Sequence, residues 1–250
     1  MRKPISVIII TKNEEKKLKE CLESVKWAEE IVVVDAKSED NTIKIAREYT
    51  DKIFVHEWTG FSNQKNIALS YATNEWILSL DADERVSHEL RNRIQDYVLS
   101  TTHDFDGFYV KRDNYFLGKK IRGCGWGKDF QIRIFRKSKT TITNRLVHEG
   151  FKVDGKVGKI YESLIHLSYS NFNEVIKKIN HYSSLEALEK FTKKKSNIFT
   201  IIFYPPMYFF QHLILRYGFI DGIYGFFISI MHALTKFLVQ IKIWELQRKS

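Results

Sequence analysis

The first hundred residues alternate short runs of β-branched side chains with segments of helical periodicity, and that alternation restricts the fold more than any other feature. Ile5–Ile10 is a continuous apolar run, too short for a helix and suited to a strand buried on both faces. Over Glu14–Lys26, Leu18, Cys21, Leu22 and Val25 recur at the spacing of one helix face. Ile31–Val34 is a second buried strand ending on Asp35, and Ser38–Asn41 supply caps for a helix carrying Ile43, Ile45, Ala46 and Tyr49. A third strand at Ile53–His56, a helix over Asn63–Ala72, a fourth strand at Trp76–Leu80 and a helix over Ser87–Leu99 complete the series. Such a repeat predicts a mostly parallel sheet with helices on both faces, whose ligands bind beyond the carboxyl ends of the strands. Those ends carry Thr11-Lys12-Asn13-Glu14, Asp35, and Asp81 with Asp83.

From about residue 105 the pattern changes. Phe108–Val110, Gln131–Phe135 and Ile160–His166 read as strands, separated by glycine-bearing turns such as Gly123-Cys-Gly-Trp-Gly127. Asn171–Lys194 reads as a basic amphipathic helix, Ser196–Leu215 has no formal charge but holds Pro205-Pro206, and Ile223–Val239 is again apolar. The expected organisation is a strand–helix half over 1–100, a second half of the same domain over 101–170, and C-terminal helices over 171–250. The start, MRKPISVIII, reads as a strand and not as a signal peptide.

Charge sharpens this division. The formal net charge is +10, yet residues 171–250 carry 11 basic and 5 acidic side chains, an excess of six from a third of the chain. Thirteen aromatics lie between Phe199 and Trp244. Basic plus aromatic suits either nucleic acid or an anionic membrane surface. Each apolar stretch is at the lower limit for a membrane span, which needs about 20 predominantly apolar residues. Helices lying at the interface are therefore preferred over a re-entrant or spanning hairpin, or over a homo-oligomer interface. Two cysteines, Cys21 and Cys124, make neither a metal pattern nor a disulfide framework, which fits a reducing compartment.

The chain has no GxGxxG and no GxxxxGK[ST], which argues against a dinucleotide site and a P-loop. Asp81-Ala82-Asp83, by contrast, puts two carboxylates one residue apart at a strand end, a pattern that can share a hard cation such as Mg²⁺ or Mn²⁺. The competing reading is a solvated turn or helix cap. Trp126 and Asp129 sit in the Gly-rich loop, where a tryptophan can stack on a ligand or simply pack.

At this point a resemblance is legible. ISVIIITKNEEKKLKECLESVKWAEEIVVVDAKSEDNT, followed by GFSNQKNIALSYATNEWILSLDADERVS, resembles the family 2 glycosyltransferases of GT-A fold, and among them the bacterial lipopolysaccharide core β-1,4-glucosyltransferase type. The resemblance implies that Thr11, Asn13 and Glu14 contact the nucleotide, that Asp35 faces base or ribose, and that Lys65 and Asp81 lie at the donor diphosphate. It also implies that Asp81 and Asp83 hold the metal, with His166 near them. In Leu146-Val-His-Glu-Gly150, Glu149 resembles the catalytic base of the subgroup and His148 an orienting or acceptor-contacting residue. Ala36-Lys37-Ser38-Glu39-Asp40 departs slightly from the family pattern after Asp35, at the segment that meets the base.

The expected activity is an inverting, metal-dependent transfer of a hexose, glucose by subgroup resemblance. The donor would be a nucleotide diphosphate sugar, UDP favoured, and the acceptor a lipid-anchored glycan such as lipopolysaccharide core. The place implied is the cytoplasmic face of the bacterial inner membrane, with attachment through residues 196–250 and no nucleic acid as partner. Two other readings are a nucleotidyltransferase of related fold, which usually needs a Gly-rich loop where TKNEEKKL stands, and a non-enzymatic basic membrane-bound binding protein, which leaves the carboxylates at the strand ends unexplained.

Overall fold

The computed structural model describes residues 2–100, 102–143 and 150–249. They fall into two compact units, one formed by residues 2–112, 130–143 and 150–166, the other by residues 113–129 and 167–249.

The first unit opens with the anticipated alternation: β1 (Ile5–Thr11), α1 (Leu18–Glu23), β2 (Glu30–Asp35), α2 (Thr42–Ala46), β3 (Ile53–Val55), α3 (Phe61–Tyr71) and β4 (Trp76–Asp81). A strand absent from the sequence reading, β5 (Glu84–Val86), follows at once and leads into α4 (His88–Arg93). Then come β6 (Phe105–Phe116), β7 (Lys119–Lys120), β8 (Asp129–Arg136), β9 (Thr140–Ile142), β10 (Phe151–Val153) and β11 (Lys156–Tyr169). The main sheet runs β3-β2-β1-β4-β8-β6-β11-β5. β1, β2, β3 and β4 are parallel, whereas β8 joins β4, and β5 joins β11, antiparallel.

Alternation along the buried strands explains the layers. Ile5, Val7 and Ile9 share one core with Leu18, Cys21 and Leu22 of α1 and Leu90 of α4, while Ile8 and Ile10 share the other with Ala68 and Leu69 of α3. Every residue of β1 and β2 is buried, so each strand must be apolar on both sides, as the continuous runs require. Sequential strands step from β1 to β2 to β3, and the chain then returns to place β4 on the other side of β1. That reversal is the topological switch point at which open α/β sheets bind their ligands. Register sets three polar ends level there, with Thr11 beside Asp35 and Ile10 beside Asp81.

The opposite edge is closed by a buried carboxylate. Glu30 binds Ser6 and Lys52 and accepts hydrogen bonds from the Thr73 backbone N–H (2.8 Å) and hydroxyl (2.9 Å). Burial opposes its charge, but these donors win and hold its pKa at about 2.

The second unit contains α5 (Phe172–Lys190), α6 (Ile198–Phe210) and α7 (Ile223–Lys249). Asn171 and Asn197 cap α5 and α6 through their side chains, and Pro205 and Pro206 lie inside α6, not between two helices. Val175 and Ile179 of α5 share a core with Ile228 and Met231 of α7 and with Phe116, Ile121 and Cys124. The Gly-rich loop meets the turn before α7 through Asp221, whose carboxylate accepts the N–H of Gly123 (2.6 Å) and of Arg122 (3.1 Å). A Cβ on Gly123 would stand 2.2 Å from the Tyr217 carbonyl oxygen, so this approach requires glycine.

Candidate active site

The site is built at the carboxyl ends of β1, β2 and β4. Thr11, the last residue of β1, is buried, and its hydroxyl has no hydrogen-bond partner among the described residues. A buried hydroxyl left unpaired costs stability, so it marks a position where a ligand would supply the missing bond. The chain then turns through Asn13 with φ at 54°, a left-handed conformation that asparagine tolerates. Its N–H donates to Ser38 Oγ (2.8 Å), its Oδ1 accepts the Glu39 N–H (2.9 Å), and the Glu14 N–H donates to Thr42 Oγ1 (2.8 Å). Both oxygens of fully buried Asp35 are taken by Ser38, from the backbone N–H (2.7 Å) and the hydroxyl (2.5 Å). The turns after β1 and β2 are thereby tied into one rigid edge.

Beside this edge lies a charged cluster. Arg133, on β8 and buried, donates through one Nη to Asp81 Oδ2 (2.6 Å) and Glu84 Oε1 (2.5 Å). Glu84, fully buried on β5, also accepts from Arg112 Nη1 (3.4 Å) and from the Asp81 N–H (3.0 Å). Lys65, buried on α3, brings its ammonium 3.8 Å from Asp81 Oδ1. Burial pushes the Asp81 carboxyl upward, but Arg133 and Lys65 outweigh it and hold the group well below the usual carboxylate range. The same carboxylates raise the already high pKa of Arg133 against its own burial. Asp83 Oδ2 lies 3.6 Å from His166 Nε2, brought there because β11 pairs with β5 in a register that sets His166 opposite Glu84.

The donor chemistry fits a hard divalent cation. Mg²⁺ and Mn²⁺ are commonly held by one or two carboxylates together with substrate phosphates and waters, so an all-protein cage is not required. Among the described residues no group of three or more His, Cys, Asp or Glu side chains forms such a cage. Asp83 and Asp81 are the oxygen donors at hand, with His166 adjacent to the first.

Trp126 and Asp129 belong to the second unit. Trp126 packs edge-on to Phe116 and roughly parallel to Tyr169, while Asp129 Oδ2 accepts from Asn114 Nδ2 (3.0 Å). Glu149 and His148 lie outside the described residues. The structure brings Thr11, Asp35, Lys65, Asp81, Asp83 and His166 into the first unit, whereas sequence reasoning assigned no site role to Glu84, Arg112 or Arg133. Arg133 is paired with both Asp81 and Glu84. The available signal for Glu84 was its place directly after Asp81-Ala82-Asp83.

A family model, glycosyl transferase family 2, matches residues 6–151, which includes the polar ends of β1, β2 and β4 and the Asp81–Asp83 carboxylates. The chain belongs to this family. The glycosyltransferase is 32% identical over 97% of its length to the lipopolysaccharide core biosynthesis glycosyltransferase LpsC of Rhizobium meliloti, 92% of which is covered. It is 33% identical over 99% of its length to an uncharacterized glycosyltransferase of Rickettsia typhi, covering 89% of that protein. In architecture it resembles residues 1–349 of S. aureus TarS solved with UDP-GlcNAc, with a TM-score of 0.50, 14% identity, and coverage of 98% and 92% of the two chains. The fold is the GT-A arrangement, and family membership sets aside the nucleotidyltransferase and non-enzymatic readings.

Proposed function

We propose that this glycosyltransferase performs an inverting, divalent-cation-dependent transfer of a hexose from a nucleotide diphosphate sugar, UDP favoured, to a lipid-anchored glycan of the lipopolysaccharide core type. The observation that carries the reading is the meeting of the unpaired Thr11 hydroxyl, Asp35, Asp81, Asp83 and buried Lys65 at one strand-end region of a parallel sheet. The name of the R. meliloti relative, similar over nearly the full length, supports the acceptor class. Glucose as the sugar rests on the subgroup resemblance.

In this reading Thr11, Asn13 and Glu14 contact the nucleotide, and Asp35, its carboxylate fixed by Ser38, faces the base or ribose. Lys65 would offset diphosphate charge, and Asp83 and Asp81 would hold the cation. When bound, the cation supplies charge neutralisation at the departing diphosphate. Glu149 acts as base: it takes the proton of the acceptor hydroxyl as that oxygen bonds to the anomeric carbon and the bond to the diphosphate oxygen breaks. Attack from the face opposite the leaving group inverts the anomeric centre. The cytoplasmic membrane face is the place where a soluble nucleotide sugar and a lipid-anchored acceptor coexist.

Turnover of UDP-, GDP-, ADP- and dTDP-sugars with Mg²⁺ or Mn²⁺ tests the donor assignment. Release of UDP that needs the metal and is accelerated by a lipid-linked core acceptor is expected. Metal-independent turnover, or retention of anomeric configuration in the product, overturns the corresponding part.

A further inference from the structure

No side chain of α6 is buried, although most are apolar. Lys236 of α7 sits over the Tyr208 ring, 5.2 Å from its centre, and in the helical turn that follows α6 buried His212 stacks on His232 of α7 with ring centres 3.7 Å apart. The outward side of α6 shows Phe199, Ile202, Phe203, Met207 and Phe210, each more than half exposed, and the following turn adds Leu215 at 73%. Exposed side chains of α7 continue the patch at Phe226, Ile230, Phe237 and Trp244, positions that recur on one face of the helix. Scattered apolar side chains need no explanation on a surface, but a contiguous patch this large marks an interface.

Charge selects the occupant. α6 itself is uncharged, while Lys193, Lys194 and Lys195 are exposed directly before it and Arg216 directly after it. A basic rim around an apolar, aromatic face complements anionic headgroups over acyl chains. Geometry also selects the mode. The helical segment that α6 opens, Ile198–Leu215, has 18 residues, about 27 Å of helix, which still falls short of the roughly 30 Å of a bilayer core. α7 is long enough to span, but its other side is joined to the polar helix α5, with Lys236 bonded to Glu186 and Lys242 to Asn180, Ser183 and Ser184. A helix carrying that load cannot be surrounded by lipid.

We propose that the outward faces of α6, its following turn and α7 form a docking surface that lies in the plane of one leaflet of an anionic membrane. The surface stands on the second unit alone. It extends the proposed function by naming the membrane partner, and its test reads no catalysis, so the two can fail separately.

The full-length protein is mixed with vesicles of phosphatidylcholine alone or with 30 mol% phosphatidylglycerol, and flotation is measured. Binding to the anionic vesicles is expected. Changing Lys193, Lys194 and Lys195 together to Gln should weaken it by at least tenfold, at roughly fivefold per charge, and Phe203→Glu with Phe210→Glu should abolish it. Both variants alter exposed side chains, and an unchanged melting temperature verifies the fold. A fluorophore placed in turn at Phe199→Cys, Met207→Cys and Ile214→Cys, with lipid-borne quenchers, reads depth; Cys21 and Cys124 are buried. A similar shallow depth at all three positions is expected. A monotonic change of about 22 Å from the first to the last would show a spanning helix and overturn the in-plane mode. No flotation, or a stable dimer in which these positions are shielded without lipid, overturns the membrane assignment.

Discussion

Arg133 and Asp81, 52 residues apart in the chain, meet at 2.6 Å, and the same guanidinium nitrogen holds Glu84 at 2.5 Å. The Asp81–Glu84 carboxylate pair is therefore bridged by a cation the protein supplies itself. Removing one member of a buried charge cluster leaves the others uncompensated. Arg133→Met should destabilise the protein by about 3–5 kcal/mol in urea unfolding. Combining it with Glu84→Gln should cost less than the two single changes added together. A loss below about 1 kcal/mol would show that the cluster is not stabilised as argued.

Asp83 contacts His166 and does not share the Arg133 bridge. Asp83→Ala should abolish metal-dependent donor turnover while leaving the melting temperature within a few degrees of the parent. Titration with Mn²⁺ followed by electron paramagnetic resonance gives a second readout, and tight Mn²⁺ binding with donor in the variant would sink the ligand role.

Glu149→Gln should lower kcat by about 10²–10⁴ with donor affinity retained, the range expected when a general base is removed. Equilibrium binding of the nucleotide sugar separates the outcomes: weaker donor binding with kcat preserved would point to another base.

Acid stability should report Glu30. Its carboxyl has a pKa of about 2 in the folded state against an ordinary 4.5, so its contribution is complete above pH 4.5 and is lost as pH falls from there toward 2. Allowing for the part-exposed Lys52 partner, the contribution is on the order of 2 kcal/mol. Glu30→Gln should flatten the stability profile over that interval, measured by urea unfolding at successive pH values. An unchanged slope would refute the assignment.

Gly123→Ala forces a methyl group against the Tyr217 backbone carbonyl. A loss of about 1–3 kcal/mol is expected, the usual cost of overpacking, and differential scanning calorimetry measures it. An unaltered transition would mean that the Gly-rich loop and the 217–221 turn do not pack as described.

The polar strand ends were legible because strands buried on both faces leave a plain signature, and the residues that end such runs stand out against it. Thr11, Asp35 and Asp81 follow from that pattern alone, while Lys65 and His166 needed the family resemblance. Glu84 was not legible as part of the site: a three-residue strand has no periodicity, and nothing local separates its carboxylate from the solvated glutamates of a turn. Arg133 sits in a strand whose alternation predicts only its face; that it reaches Asp81 depends on β8 pairing with β4, a non-local fact. The lengths of β6 and β11 were underestimated for a related reason. Their half-exposed residues break the apolar runs that delimit β1, β2 and β4.

The level register of β1 against both neighbours makes its length untouchable. With all seven residues buried and Ile10 and Thr11 aligned to Asp81 and Asp35, deleting one residue would swap every side chain between the two helical layers. It would also withdraw the threonine hydroxyl from the crevice. The half-exposed strands β6 and β11, which are not sealed between two cores along their whole length, are free of that constraint.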